Sequence, residues 1–198
     1  MEEIIKNFHA DAVESFRNCK KLAERAIEQI SDEEFFATID EEANSVAVVV
    51  KHIAGNLVSR WSDFLTTDGE KPTRDRDAEF EINDDSRKEL MEFWERGWQT
   101  LFENIEPLTI EDFTKTVTIR GQEHTIVEAF NRQLTHYAYH VGQIVLLAKH
   151  FKSADWKTLV FPKTAPLNSI SFLQIKKRQA SRSETELTHL PNLVKRIN

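Results

Sequence analysis

At 198 residues and 23.0 kDa the chain suits one domain, or one domain with an appendage, and its 40% hydrophobic and 30% charged residues are those of a globular chain. Five glycines and five prolines leave too few turns for a many-stranded β sandwich, while the single cysteine, Cys19, excludes an intramolecular disulfide or multi-thiolate metal site and fits a reducing cytoplasm. A net charge of −7 gives no global positive field to recruit nucleic acid, and no stretch approaches the roughly 18 apolar residues that span a bilayer.

The chain opens MEEIIKNFHADA, acidic and amphipathic, with no apolar signal segment expected. From Glu2 to Ile30 the apolar residues Ile5, Phe8, Ala12, Phe16, Cys19, Ala23, Ile27 and Ile30 are three or four apart, which predicts one long amphipathic helix. Cys19 falls within that stripe and reads as small core packing.

A second helix is predicted from Asn44 or Ser45 to Leu65. Its VAVVV run favours a strand on propensity alone, but the 3/4 spacing through Ile53, Leu57, Trp61 and Phe64 overrides it. Residues 67–83 are polar and without period, and read as a long surface loop. A third helix follows, with Ser86 and Glu89 spaced for a capping box and Pro107 ending it. Phe113 to Thr125 is rich in Thr, Val and Ile, and Gly121 with Gln122 is placed to turn a small hairpin. The fourth helix is predicted over 125–149. Beyond it, Trp156, Leu159, Phe161 and Pro162 read as a strap.

Four such stripes are buried together most simply by a four-helix bundle, an all-α fold with a long crossover loop and a hairpin before the last helix. The bundle is expected over residues 1–166 and a basic extended tail over 167–198. The tail holds six Lys/Arg against two Glu, a net +4, so the body carries −11. The tail's short charge run is a poor basis for nucleic-acid binding.

Of the seven histidines, His136 and His140 stand one helical turn apart at the edge of the fourth apolar face. Spacing of i, i+4 brings two imidazoles within reach of one ion. His52 stands at the margin of the second helix in a stripe with Ser45, Val49, Asn56 and Ser59. HxxxH alone is more often two hydrogen-bonded residues than a metal site, and Tyr137 after His136 rules out the HExxH pattern. Asn56, Gln133 and Gln143 are candidates to orient the ligands. Tyr139 projects outward. No carboxylate adjoins these histidines on either helical wheel, so no general base is evident. Gly55, Gly97 and Gly142 lie inside predicted helices at a cost of about 1 kcal/mol each, which points to close helix packing.

VKHIAGNL, TVTIRGQEHT and LTHYAYHVGQIVLLAKH, in that order, resemble the DinB-like (YfiT-like) bacterial metalloprotein superfamily over about residues 1–160, and most closely one of its small uncharacterised subfamilies. The resemblance implies a four-helix bundle holding a divalent metal, Zn or Ni, through His52, His136 and His140. It implies a metal-dependent thiol S-transferase or hydrolase acting on a small molecule, since relatives include bacillithiol-dependent transferases, mycothiol-dependent isomerases and metal-dependent hydrolases. It also implies a homodimer. The alternative is a non-catalytic, metal-stabilised dimeric binding module.

Overall fold

The computed structural model describes residues 1–159. The phenylalanine, valine and tryptophan stripes of the sequence become five helices and one hairpin. They are α1 (Glu2–Ile27), α2 (Asp32–Phe36), α3 (Val46–Trp61), α4 (Arg87–Ile105), β1 (Thr116–Ile119), β2 (Gln122–Thr125) and α5 (Ile126–Lys152). The protein is thus mostly helical, with Met1–Lys157 as one compact unit. No helix among the described residues is long and apolar enough to cross a membrane.

Each boundary has a local cause. Ser45 caps α3 by accepting from the Val48 N–H at 3.2 Å, which commits VAVVV to a helix. That helix stops at Trp61, short of the expected Leu65, because Ser62 turns extended and Asp63 takes φ +49°. Capping boxes start α4 at Ser86/Glu89 and α5 at Thr125/Glu128. A third box, Ser31/Glu34, starts α2, a one-turn helix with no counterpart in the sequence reading. In the hairpin, Ile119 pairs with Gln122, so the turn residues are Arg120 (φ +55°) and Gly121 (φ +73°), one position earlier than expected.

α3 packs on α4 and on α5, α1 packs on α5, and α1 also touches α4. Their shared core centres on Phe16, Trp61, Trp98, Phe130 and Tyr137, all fully buried, with ring centroids 5.5–5.9 Å apart. Gly97 lets α4 approach α3, since a side chain there would meet Leu57 Cβ at 3.0 Å and the Ala54 carbonyl at 3.1 Å. Gly142 has nothing within 4 Å, so close packing does not explain it. Cys19 is half-buried, and burial pushes its thiol up, away from a reactive thiolate.

Residues 67–83 are not the plain surface loop expected. Asp68 accepts from the N–H groups of Glu70, Arg120 and Gly121 at 2.7–2.9 Å, and Gly69 N–H donates to Thr118 O at 2.8 Å. The loop is thereby fastened to the hairpin, and its single turn of 3-10 helix, Ala78–Phe80, lies on α3. After α5, Gln29 brackets Lys157 with two hydrogen bonds of 2.8 and 3.0 Å. Phe161, Pro162, the basic tail and the expected boundary at 166/167 lie outside the described residues.

Candidate metal centre

α3 presents His52, and α5 presents His136 and His140 one turn apart. The structure brings all three together, with one nitrogen of each within 4.8 Å of the others. The ring centroids of His136 and His140 each lie about 5 Å from that of His52, at 5.3 and 4.8 Å. Phe80 stacks 4.8 Å from His52 and Tyr139 4.2 Å from His140; both are partly exposed and rim the cluster. Tyr139 does project outward, as its position on the wheel implied, yet its ring rests against the histidines.

The hydrogen bonds decide which nitrogens face inward. His52 Nδ1 lies 2.9 Å from Glu79 Oε2. An ionised carboxylate only accepts, so the ring proton sits on Nδ1 and the lone pair on Nε2. His140 Nδ1 donates likewise to Gln143 Oε1 at 2.8 Å, which leaves its Nε2 buried and without a partner. His52 Nε2 and His136 Nε2 face each other at 3.3 Å. A tetrahedral ion bound at about 2.0–2.1 Å holds its ligands roughly 3.3 Å apart, so this pair already has the spacing of a shared cation. His136 Nδ1 is buried and unbonded.

Burial drives the charge state in the same direction. It takes His136 down to about 3, helped by the neighbouring His140 and His52 rings and by Arg74 and Arg60. It takes His140 down to about 4 against the Gln143 bond, with His52 adding to the depression. Both rings are therefore neutral at physiological pH, the state in which imidazole binds a metal.

Glu79 is the residue that sequence reasoning missed. It comes from the supposedly solvated loop, is 5% exposed, and brings to the site a carboxylate that neither helical wheel offers. Burial alone would raise its pKa; the bonds from Arg74 and His52 overcome that and hold it low. Arg74 grips it with two hydrogen bonds, Nε to Oε1 at 2.7 Å and Nη2 to Oε2 at 2.8 Å. Gly55 makes this possible. A side chain there would place its Cβ 2.7 Å from Glu79 Cδ and closer still to Oε1. The glycine admits a carboxylate from the loop, where close helix packing had been expected.

The three ligand-orienting candidates separate. Gln143 bonds His140 despite its exposure. Asn56 bonds neither neighbouring histidine; its Oδ1 accepts from Tyr137 Oη at 3.0 Å, and that oxygen accepts from Trp61 Nε1 at 3.0 Å. Gln133 is 2% exposed, with an unbonded Oε1 beside His136 in a small cleft. Of the other histidines, His9 bonds Ile105 O at 2.7 Å and rests against Phe113 and Phe130, and His124 lies in β2.

A larger cleft, about 550 Å³, runs along the neighbouring stripe of α3 from Lys51 to Ser62 and contains Glu79 and Arg74 but none of the histidines. Its cations are already engaged. Lys51 bonds Asp85, Lys71 bonds Thr67 and Asp68 O, and Arg74 bonds Glu79.

Fold and site together define a mostly helical protein whose three converging imidazoles can hold a divalent ion. The chain belongs to the family described as Protein of unknown function (DUF1572), whose profile matches residues 3–165. No curated protein matches the chain.

Proposed function

We propose that this chain is a DinB-like four-helix-bundle enzyme that uses a divalent ion, Zn or Ni, held by His52, His136 and His140. It acts on a small molecule as a thiol S-transferase or a hydrolase, and works as a cytoplasmic homodimer. The observation that carries the metal reading is the pair of second-nitrogen bonds, His52 to Glu79 and His140 to Gln143, which aim two lone pairs at one point. When bound, the cation supplies Lewis-acid chemistry that lowers the pKa of water or a thiol toward neutrality. The chain's own part is to hold that point. Arg74 fixes Glu79, Glu79 fixes the tautomer of His52, and burial keeps His136 and His140 unprotonated.

The test is turnover by the full chain, metal-loaded and chelator-stripped, with low-molecular-weight thiols and a model electrophile, and separately with ester substrates. Metal-dependent turnover that disappears in His52→Ala supports the enzyme. The second reading, a binding module, rests on the basic composition of the tail. It prevails if no thiol or ester turns over and deleting residues 168–198 alters only complex formation.

A further inference from the structure

Beyond the histidines, α3 and α5 continue as two facing polar stripes. His52, Asn56 and Arg60 recur every fourth residue on α3, and His140, His136 and Arg132 on α5. They pair in antiparallel order. His52 meets His136 and His140, Asn56 accepts from Tyr137 beside His136, and Arg60 and Arg132 line one cleft. Between them lies a cleft of about 290 Å³, lined by Arg60, Arg76, Arg120, Arg132, Gln133 and His136 among others.

Four guanidiniums in one small cleft of an acidic protein need an explanation, and their partners do not supply it. Arg60 is 2% exposed, yet its Nε and Nη1 have no hydrogen-bond acceptor. Its remaining nitrogen, Nη2, reaches Glu70 Oε2 at a long 3.4 Å. Glu70 is itself shared with Arg74 at 3.2 Å and Arg120 at 3.1 Å. Asp68 feels the charge of Arg60 but accepts its hydrogen bonds from three backbone N–H groups instead. Arg76 and Arg132 have no carboxylate partner among the described residues. Buried charge and buried amide groups left without partners are costly, and an anion would satisfy them together.

We propose that this cleft is an anion-binding subsite, and that the small-molecule substrate or cosubstrate carries a carboxylate or phosphate held by Arg60 and Arg132. Arg132 stands one turn from His136, about 6 Å along α5, and Arg60 eight residues from His52, about 12 Å along α3. The charged group and the reacting atom of the ligand are therefore separated by the length of a short aliphatic chain. The placement of the reacting atom rests on the metal reading above; capture of the anion rests on the arginines alone.

Isothermal titration of the full chain with inorganic phosphate, and separately with succinate, at an ionic strength fixed by chloride, tests this. Saturable binding of at least one is expected, and the tighter arm names the preferred group. Arg132→Gln changes an exposed residue with no ion pair and leaves the fold intact, but should weaken that binding roughly tenfold or more, as should Arg60→Gln. His52→Ala should leave anion binding within about twofold while removing the metal, so the two readings fail separately. The proposal is overturned if neither anion binds more tightly than chloride, or if Arg132→Gln binds as well as the parent. It is equally overturned if His52→Ala abolishes binding that survives the arginine substitutions, which would place the anion on the metal.

Discussion

Gly55→Ala is a sensitive probe of how His52 is held, because two effects oppose each other. In a helix interior, alanine should stabilise by about 1 kcal/mol over glycine. At position 55 the new methyl would sit 2.7 Å from Glu79 Cδ, well inside van der Waals contact, so the carboxylate must move by roughly an ångström. Glu79 cannot shift freely, since Arg74 holds both oxygens at 2.7 and 2.8 Å and His52 holds one at 2.9 Å. Charge-assisted bonds contribute about 1.5–3 kcal/mol each, so weakening two of them outweighs the gain in propensity. A net destabilisation of about 1–3 kcal/mol is expected in urea unfolding. Losing the partner of a ligating imidazole should also cost roughly 10–100-fold in metal affinity, read by competition with a chelator. Gly142→Ala, with open space around it, is the internal control; it should gain up to about 1 kcal/mol and bind metal as the parent does. A Gly55→Ala protein that is more stable and binds metal undiminished would refute the role assigned to Glu79.

Two further outcomes follow from the same network. Tyr137→Phe removes one hydroxyl but leaves both Trp61 Nε1 and Asn56 Oδ1 buried without partners, so equilibrium unfolding should register a loss of about 2–5 kcal/mol. A loss under about 1 kcal/mol would show that the chain of hydrogen bonds is dispensable. In the metal-free protein, His136 and His140 titrate near 3 and near 4, below the ordinary 6.5, so folding holds them neutral while the unfolded chain takes up protons. Their contribution is complete above pH 6.5 and is lost as pH falls from there toward 4 for His140 and toward 3 for His136. Each ring contributes at most about 1.4 kcal/mol per pH unit, less where solvent screens it. Chemical denaturation at pH 7 and pH 5 should show this decline, and equal stabilities would contradict it. Glu79, whose pKa is depressed below 4.5, loses its contribution only as pH falls through 4.5, so it adds little between pH 7 and pH 5.

Much of the scaffold was legible because its signals are local. The stripe through Ile53, Leu57 and Trp61 outweighed the β propensity of VAVVV, and the Ser86/Glu89 spacing marked the start of α4. The histidine pair was visible from its i, i+4 spacing, and its meeting with His52 came from a family resemblance rather than from periodicity. The short α2 escaped because one turn is too brief to show a period, although Ser31 and Glu34 carried the capping-box spacing. Glu79 and Arg74 escaped for a different reason. Their burial depends on contact with a helix wall two dozen residues away, in a segment whose polarity reads as solvated. The one clue was Gly55, a glycine inside a helix three residues after His52, whose missing side chain was the space that Glu79 fills. The arginine cleft was hidden likewise, since Arg60 and Arg132 are unremarkable until α3 and α5 face each other.

Metal analysis of tag-free protein, joined to X-ray absorption at the edge of the metal found, bears most directly on the convergence of the three rings. One ion per chain with three nitrogen ligands, at about 2.0–2.1 Å if it is zinc, and loss of that ion in His52→Ala, His136→Ala and His140→Ala alike, is the predicted result. Occupancy well below one that none of these substitutions changes would contradict it.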